Sequence, residues 1–219
     1  MAFIPYLLIS VIHLYSKLAS AEDLDTFTKP LLMPVLLIGA LFALPSWRSK
    51  TALLLAVALA FSWLGDVSLL YSGNLGFLTG LGFFLLAHIA YLVLLTGTLR
   101  QRRAHLGMAV YAVWWVGLVL LLAPHLGVLL VPVAVYGLVL GAMAAWALLC
   151  NVWVAVGGAL FLVSDSLLGL NRFLPGFQFP EVDFAIMLTY ITGQALIVWG
   201  AAVWVRSRSE ASPQLATHQ

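Results

Sequence analysis

Runs of about twenty apolar residues, almost free of charge, follow one another along nearly the whole chain. A helix of that length crosses the ~30 Å hydrocarbon core of a bilayer. The runs lie near residues 2–18, 30–46, 51–71, 75–99, 106–123, 127–149, 152–171 and 184–205. They predict an all-α integral membrane protein, an eight-helix transmembrane bundle filling residues 1–206, with a polar cytoplasmic tail at 207–219 that is expected to be disordered. Connections are short apart from AEDLDTFTK (21–29) and RFLPGFQFPEVD (172–183), so no soluble domain fits between the helices. Only 8% of residues are charged and 63% are hydrophobic, whereas a soluble domain carries about 25% charged residues.

The few charges sort by side. If successive helices alternate in direction, Arg48, Lys50, Arg100, Arg102, Arg103, Arg206 and Arg208 fall on one side, and Glu22, Asp23, Asp25, Glu181 and Asp183 on the other. The positive-inside rule then puts both termini in the cytoplasm, in the cell membrane if the protein is bacterial. Trp47, Trp146, Trp153, Trp199 and Trp204 gather at that same boundary, as an aromatic belt does. The first run ends in Ala19-Ser20-Ala21, the small-residue pattern of a signal-peptidase site. It lacks a basic leader and carries His13, Tyr15 and Lys17, and it is read as the first span. A net charge of +2, with basic residues at the ends of apolar runs, argues against a nucleic-acid partner. Cys150, the single cysteine, can form no intramolecular disulfide and joins no metal-ligand cluster. The oligomeric state is not encoded in any of these features.

Two acids break the apolar pattern: Asp66 in FSWLGDVSLLY and Asp165 in FLVSDSLLGL. A carboxylate at a helix centre costs about 2.5–3.5 kcal/mol on insertion scales, which implies a partner or a chemical task. Other polar residues keep them company. His88 and Tyr91 share one face of the fourth helix, and Tyr190 and Gln194 one face of the eighth. Lys29 begins the second helix and Asn171 and Arg172 end the seventh, in the same outer leaflet as the acids, while His88 lies deeper, where it would form a cavity floor. Arg172 shares a face with Asp165 if the seventh helix continues that far. Plainer readings exist for each group taken alone. An isolated acid caps a helix or meets water, His88 and Tyr91 pack in a core, and Lys29 and Arg172 anchor at the interface. The two acids together are harder to explain in that way. Asp66 and Asp165 each precede a tyrosine by 25 positions, Tyr91 and Tyr190, a spacing consistent with two parallel four-helix repeats.

The blocks TKPLLMP (28–34), LGD (64–66), HIAY (88–91), LFLVSDSLLGLNRF (160–173) and YITGQALI (190–197) resemble the YhhN family, also called the transmembrane 86 or lysoplasmalogenase family. The resemblance implies hydrolysis of the vinyl ether bond of a lysophospholipid, a lysoplasmalogen, to a fatty aldehyde and a glycerophospho-head-group, with no metal and no cofactor. The residues suit that chemistry. Protonation of the alkene carbon creates an oxocarbenium ion that water attacks, and two carboxyls in an apolar cavity can divide the work, one proton-bearing and one anionic. Asp66 and Asp165 are the expected pair. Lys29 and Arg172 are expected to hold the phosphate, and His88, Tyr91, Asn171, Tyr190 and Gln194 to orient carboxyls and water. Intramembrane acids also mark proton-coupled transporters of small or lipid-like solutes. A metal-dependent amidase-like enzyme built on His88 and the two aspartates is a third reading, short of histidines.

Overall fold

The apolar runs fold as helices. The computed structural model describes residues 2–177 and 179–216, with side chains described as far as Ser209. The helices are α1 (Ile4–Leu18), α2 (Glu22–Ala43), α3 (Lys50–Ser68), α4 (Gly73–Leu94), α5 (Ala109–Leu126), α6 (Leu130–Ala147), α7 (Val152–Phe173) and α8 (Val182–Ala216), and no strand occurs among the described residues. Large apolar side chains point outward, Phe42 and Leu75 each 78% exposed, while Ser62, Asp66, His88, Ser164 and Gln194 are buried. An apolar exterior around a polar interior suits a lipid surround.

Six segments among the described residues are long and apolar enough to cross a membrane. The eight helices expected exceed this count at two places. α1 has 15 residues, about 22 Å at 1.5 Å per residue, which is less than the hydrocarbon thickness. α5 and α6 belong to one apolar segment, Leu106–Ala147, which reverses at Gly127, where φ is +51° and only glycine is comfortable. The two arms pack antiparallel: Trp115 Nε1 donates to the Ala134 carbonyl at 2.9 Å, and Gly141 lies against Trp114.

One correction concerns 21–29, expected as a loop. It is helical from Glu22, because Glu22, Asp23 and Asp25 occupy the first turn of α2, where carboxylates complement the helix dipole. The same helix contains Pro30 and Pro34. Pro34 has no N–H, so the Pro30 carbonyl loses its intrahelical donor. Trp63 Nε1 of α3 supplies one at 2.9 Å. At the other terminus α8 continues through Ala216. Residues 217–219, with His218, lie outside the described residues.

Contacts between helix ends fix their directions. Arg206 Nε donates to the Ala43 carbonyl at 2.7 Å, Trp204 Nε1 to the Thr98 carbonyl at 3.1 Å, and the amides of Gln101 and Arg102 to the Leu149 carbonyl. The C-terminal ends of α2 and α6, the turn that follows α4 and the late part of α8 therefore meet at one end of the bundle, the end rich in arginine. α7 and α8 cross at a backbone-to-backbone contact. A Cβ on Gly157 would lie 2.8 Å from the Gly193 carbonyl oxygen, and one on Gly193 would lie 2.9 Å from that of Gly157. Small residues permit such an approach.

Candidate functional site

At the end of the bundle opposite the arginine-rich one, α3 and α7 bring Asp66 and Asp165 to the wall of one cavity of about 120 Å³. Asp66 is 2% exposed, and the Asp165 side chain 11%. Lys17 of α1, Lys29 of α2 and Asp183 of α8 line the same space. A second, apolar cleft of about 50 Å³ adjoins it, walled by Phe77, Trp114, Leu118, Leu122 and Val133. The two spaces share Leu69, Phe84, Asp165 and Leu168. A charged chamber and an apolar slot thus meet at Asp165, an arrangement that suits an amphiphile. Phe84 reaches this position because Gly65 leaves room for its ring: a Cβ on Gly65 would come within 2.6 Å of it.

Each carboxyl has its own tyrosine. Tyr190 of α8 donates its hydroxyl proton to Asp66 Oδ2 at 2.8 Å. Tyr136 of α6 donates to Asp165 Oδ2. Tyr91, whose spacing from Asp66 matches that of Tyr190 from Asp165, bonds instead to Gln194 Oε1. The equal spacings therefore do not produce equivalent carboxyl–tyrosine pairs. Gln194 Nε2 donates onward to Ser62 Oγ at 3.0 Å, one helical turn before Asp66, so Tyr91 and Gln194 form a buried polar brace and do not line the chamber.

His88 sits below Asp165, fully buried. Its Nδ1 lies 2.6 Å from the Phe84 carbonyl. A carbonyl only accepts, so Nδ1 carries a proton. Its Nε2 is buried without a hydrogen-bond partner and lies 3.8 Å from Asp165 Oδ2. The rings of Phe161 and Tyr136 pack edge-on against the imidazole, with centroids 4.6 and 5.4 Å away.

The remaining expected residues are dispersed. Arg172 lies on α7 as expected, but its guanidinium turns to α4, with Nη2 3.2 Å from Asn74 Oδ1 and Cζ 4.1 Å above the Phe77 ring. This puts it at the rim of the apolar cleft and away from the chamber. Asn171, partly exposed beside it, has no hydrogen bond to either aspartate. Lys17, assigned no task from the sequence, pairs with Asp25 at 2.9 Å. His13, likewise assigned none, is buried, with Nδ1 2.8 Å from Thr28 Oγ1. Tyr136 also escapes sequence reading: it stands alone in VPVAVYGLVL, and only the packing of α6 on α7 reveals its target. Among the described residues no group of three or more His, Cys, Asp or Glu side chains is gathered as a metal would require.

The sequence profile of the YhhN family matches residues 24–201. Two mycobacterial proteins named lysoplasmalogenase, from Mycobacterium bovis (strain ATCC BAA-935 / AF2122/97) and Mycobacterium tuberculosis (strain CDC 1551 / Oshkosh), are each 35% identical over 178 residues, which cover 77% of this chain and 67% of theirs. No solved structure matches it significantly. With the profile spanning most of the helical bundle and both aspartates inside the matched region, the chain belongs to the YhhN family.

Proposed function

We propose that this protein is a membrane-embedded hydrolase that cleaves the vinyl ether bond of a lysoplasmalogen, or a related lysolipid, by acid–base catalysis with Asp66 and Asp165. The observation that carries the reading is the meeting of two buried carboxyls in one chamber that opens onto an apolar cleft. The names of the two mycobacterial relatives support the choice of substrate. The alkenyl chain lies in the cleft between Phe77, Trp114 and Leu122, and its vinyl ether reaches Asp165 at the junction. Lys29, joined by Lys17, holds the phosphate in the chamber, and Arg172 guards the rim of the cleft. Tyr190 and Tyr136 hold the two carboxyls in place.

In this reading the chain crosses the membrane eight times, with α1 as a short first crossing and the α5–α6 hairpin as two. The arginine-rich end faces the cytoplasm, so both termini are cytoplasmic and the chamber opens toward the opposite leaflet. The test is aldehyde release from a lysoplasmalogen by protein purified in detergent. Asp66→Asn and Asp165→Asn are each expected to lower turnover by 10²-fold or more, the usual range for a general acid or base. Full turnover in both variants would refute the two-carboxyl mechanism. Solute flux in proteoliposomes without cleavage of any lysolipid would favour transport.

A further inference from the structure

The two aspartates sit in different electrostatic company, and the difference assigns their roles. His88 Nδ1–H is committed to the Phe84 carbonyl, so in the neutral imidazole Nε2 presents a bare lone pair. That lone pair is buried and has no donor. The acid that faces it is Asp165, 3.8 Å away. This is under 1 Å beyond hydrogen-bond length and leaves no room for a bridging water; a small rotation of the carboxyl closes the gap. A carboxylate could not satisfy Nε2, since it only accepts, but a carboxylic acid can. Oδ2 already accepts from Tyr136 and keeps a second position for a proton. Asp66 has no imidazole beside it, and of the two acids it is the one that the charge of the Lys29 ammonium reaches, the natural counter-charge of a carboxylate.

We propose that Asp165 stores the proton of the resting site, held toward His88 Nε2, and delivers it as the general acid, while Asp66 is the carboxylate that activates water. His88 acts through Asp165 and is a positioning residue. The assignment takes its chemical steps from the vinyl ether reading above. Asp165 transfers its proton to the alkene carbon distal to the ether oxygen; the π pair forms the new C–H bond, and an ether lone pair completes the oxocarbenium ion. Water adds to the cationic carbon and gives a proton to Asp66. As the hemiacetal collapses, its hydroxyl proton returns to Asp165, the C–O bond to glycerol breaks, and the departing oxygen takes the proton from Asp66. Aldehyde and alcohol leave with both side chains in their starting states.

The location of the proton can be read without substrate, so this assignment and the proposed reaction fail separately. Infrared difference spectroscopy of the detergent-purified protein at neutral pH should show one protonated-carboxyl stretch, retained in Asp66→Asn and lost in Asp165→Asn. In Asp165→Glu the band should move, which guards against a variant that fails to fold. His88→Asn should shift the band of Asp165, and lower kcat about tenfold with KM unchanged, the size of one hydrogen bond realised in the reaction. A band that disappears in Asp66→Asn and persists in Asp165→Asn would overturn the assignment. So would the absence of any such band, or a band indifferent to His88.

Discussion

Removing one hydroxyl tests whether the chamber works as described. Tyr190→Phe deletes the 2.8 Å hydrogen bond to Asp66 Oδ2 and a lesser contact of the same hydroxyl with Gln194. The ring is buried and packs edge-on against Phe84 and Phe161 at 5.9 and 5.3 Å, contacts that phenylalanine preserves. A hydrogen bond to a charged group is worth about 1.5–3 kcal/mol. Asp66 gains and loses a proton during the proposed cycle, so the bond changes strength along the reaction, and only that change affects the rate. At 1.36 kcal/mol per decade, the full bond corresponds to roughly 10- to 150-fold in kcat. The expected result is a fall of about tenfold or more in kcat, KM within twofold, and a loss of stability of about 1–3 kcal/mol from the unpaired buried carboxyl. The assay is aldehyde release at saturating lysoplasmalogen. Tyr91→Phe is the matched control, because its hydroxyl bonds Gln194 and reaches no carboxyl. Full activity in Tyr190→Phe, or an equal loss in Tyr91→Phe, would refute the claim that Asp66 is held for catalysis by Tyr190.

Three further outcomes follow from the same geometry. Trp63→Phe leaves the Pro30 carbonyl without a donor and should cost about 1 kcal/mol in detergent unfolding, while in a Pro34→Ala background, where residue 34 regains its N–H, the cost should vanish; equal costs in both backgrounds would disprove the pairing. Gly193→Val forces a Cβ to within 2.9 Å of the Gly157 carbonyl oxygen and should destabilise the protein by about 1–3 kcal/mol or more, read as a lowered unfolding midpoint, whereas Gly82→Ala, with open space around it, should not. Lys29→Met should raise KM for a phosphate-bearing lysolipid more than tenfold, by loss of a charge-assisted contact, and Arg172→Met should raise it less; the reverse order, measured by initial rates, would move the head group to the cleft rim.

Length and hydropathy were enough to read most helices from the sequence, because a bilayer demands long apolar segments and tolerates few alternatives. The start of α2 escapes hydropathy because Glu22, Asp23 and Asp25 look like loop by that measure, although acids in a first turn are a helix signal. Asp66 and Asp165 were legible because a lone acid in an apolar run is costly. Their meeting in one chamber follows from the packing of α3, α7 and α8. Helical periodicity put Arg172 on a face with Asp165, yet a long flexible side chain chose Asn74 and the Phe77 ring. Tyr136 and Lys17 carried no local signal: one is an ordinary aromatic in an apolar helix, the other an interfacial lysine of a common kind.

The contact between Gly157 and Gly193 bears on how the site tolerates sequence drift. Asp165 lies two turns beyond Gly157 on one helix, and Tyr190, which grips Asp66, lies one turn before Gly193 on the other. Main chain touching main chain therefore fixes Asp165 relative to the backbone that carries Tyr190, and the rigid Tyr190 ring is the one side chain between that contact and Asp66. Lining residues such as Leu122 or Val133 can be exchanged to suit a different alkenyl chain of the proposed substrate without touching that contact, so the cleft can diverge while Asp165 and Tyr190 keep their registration.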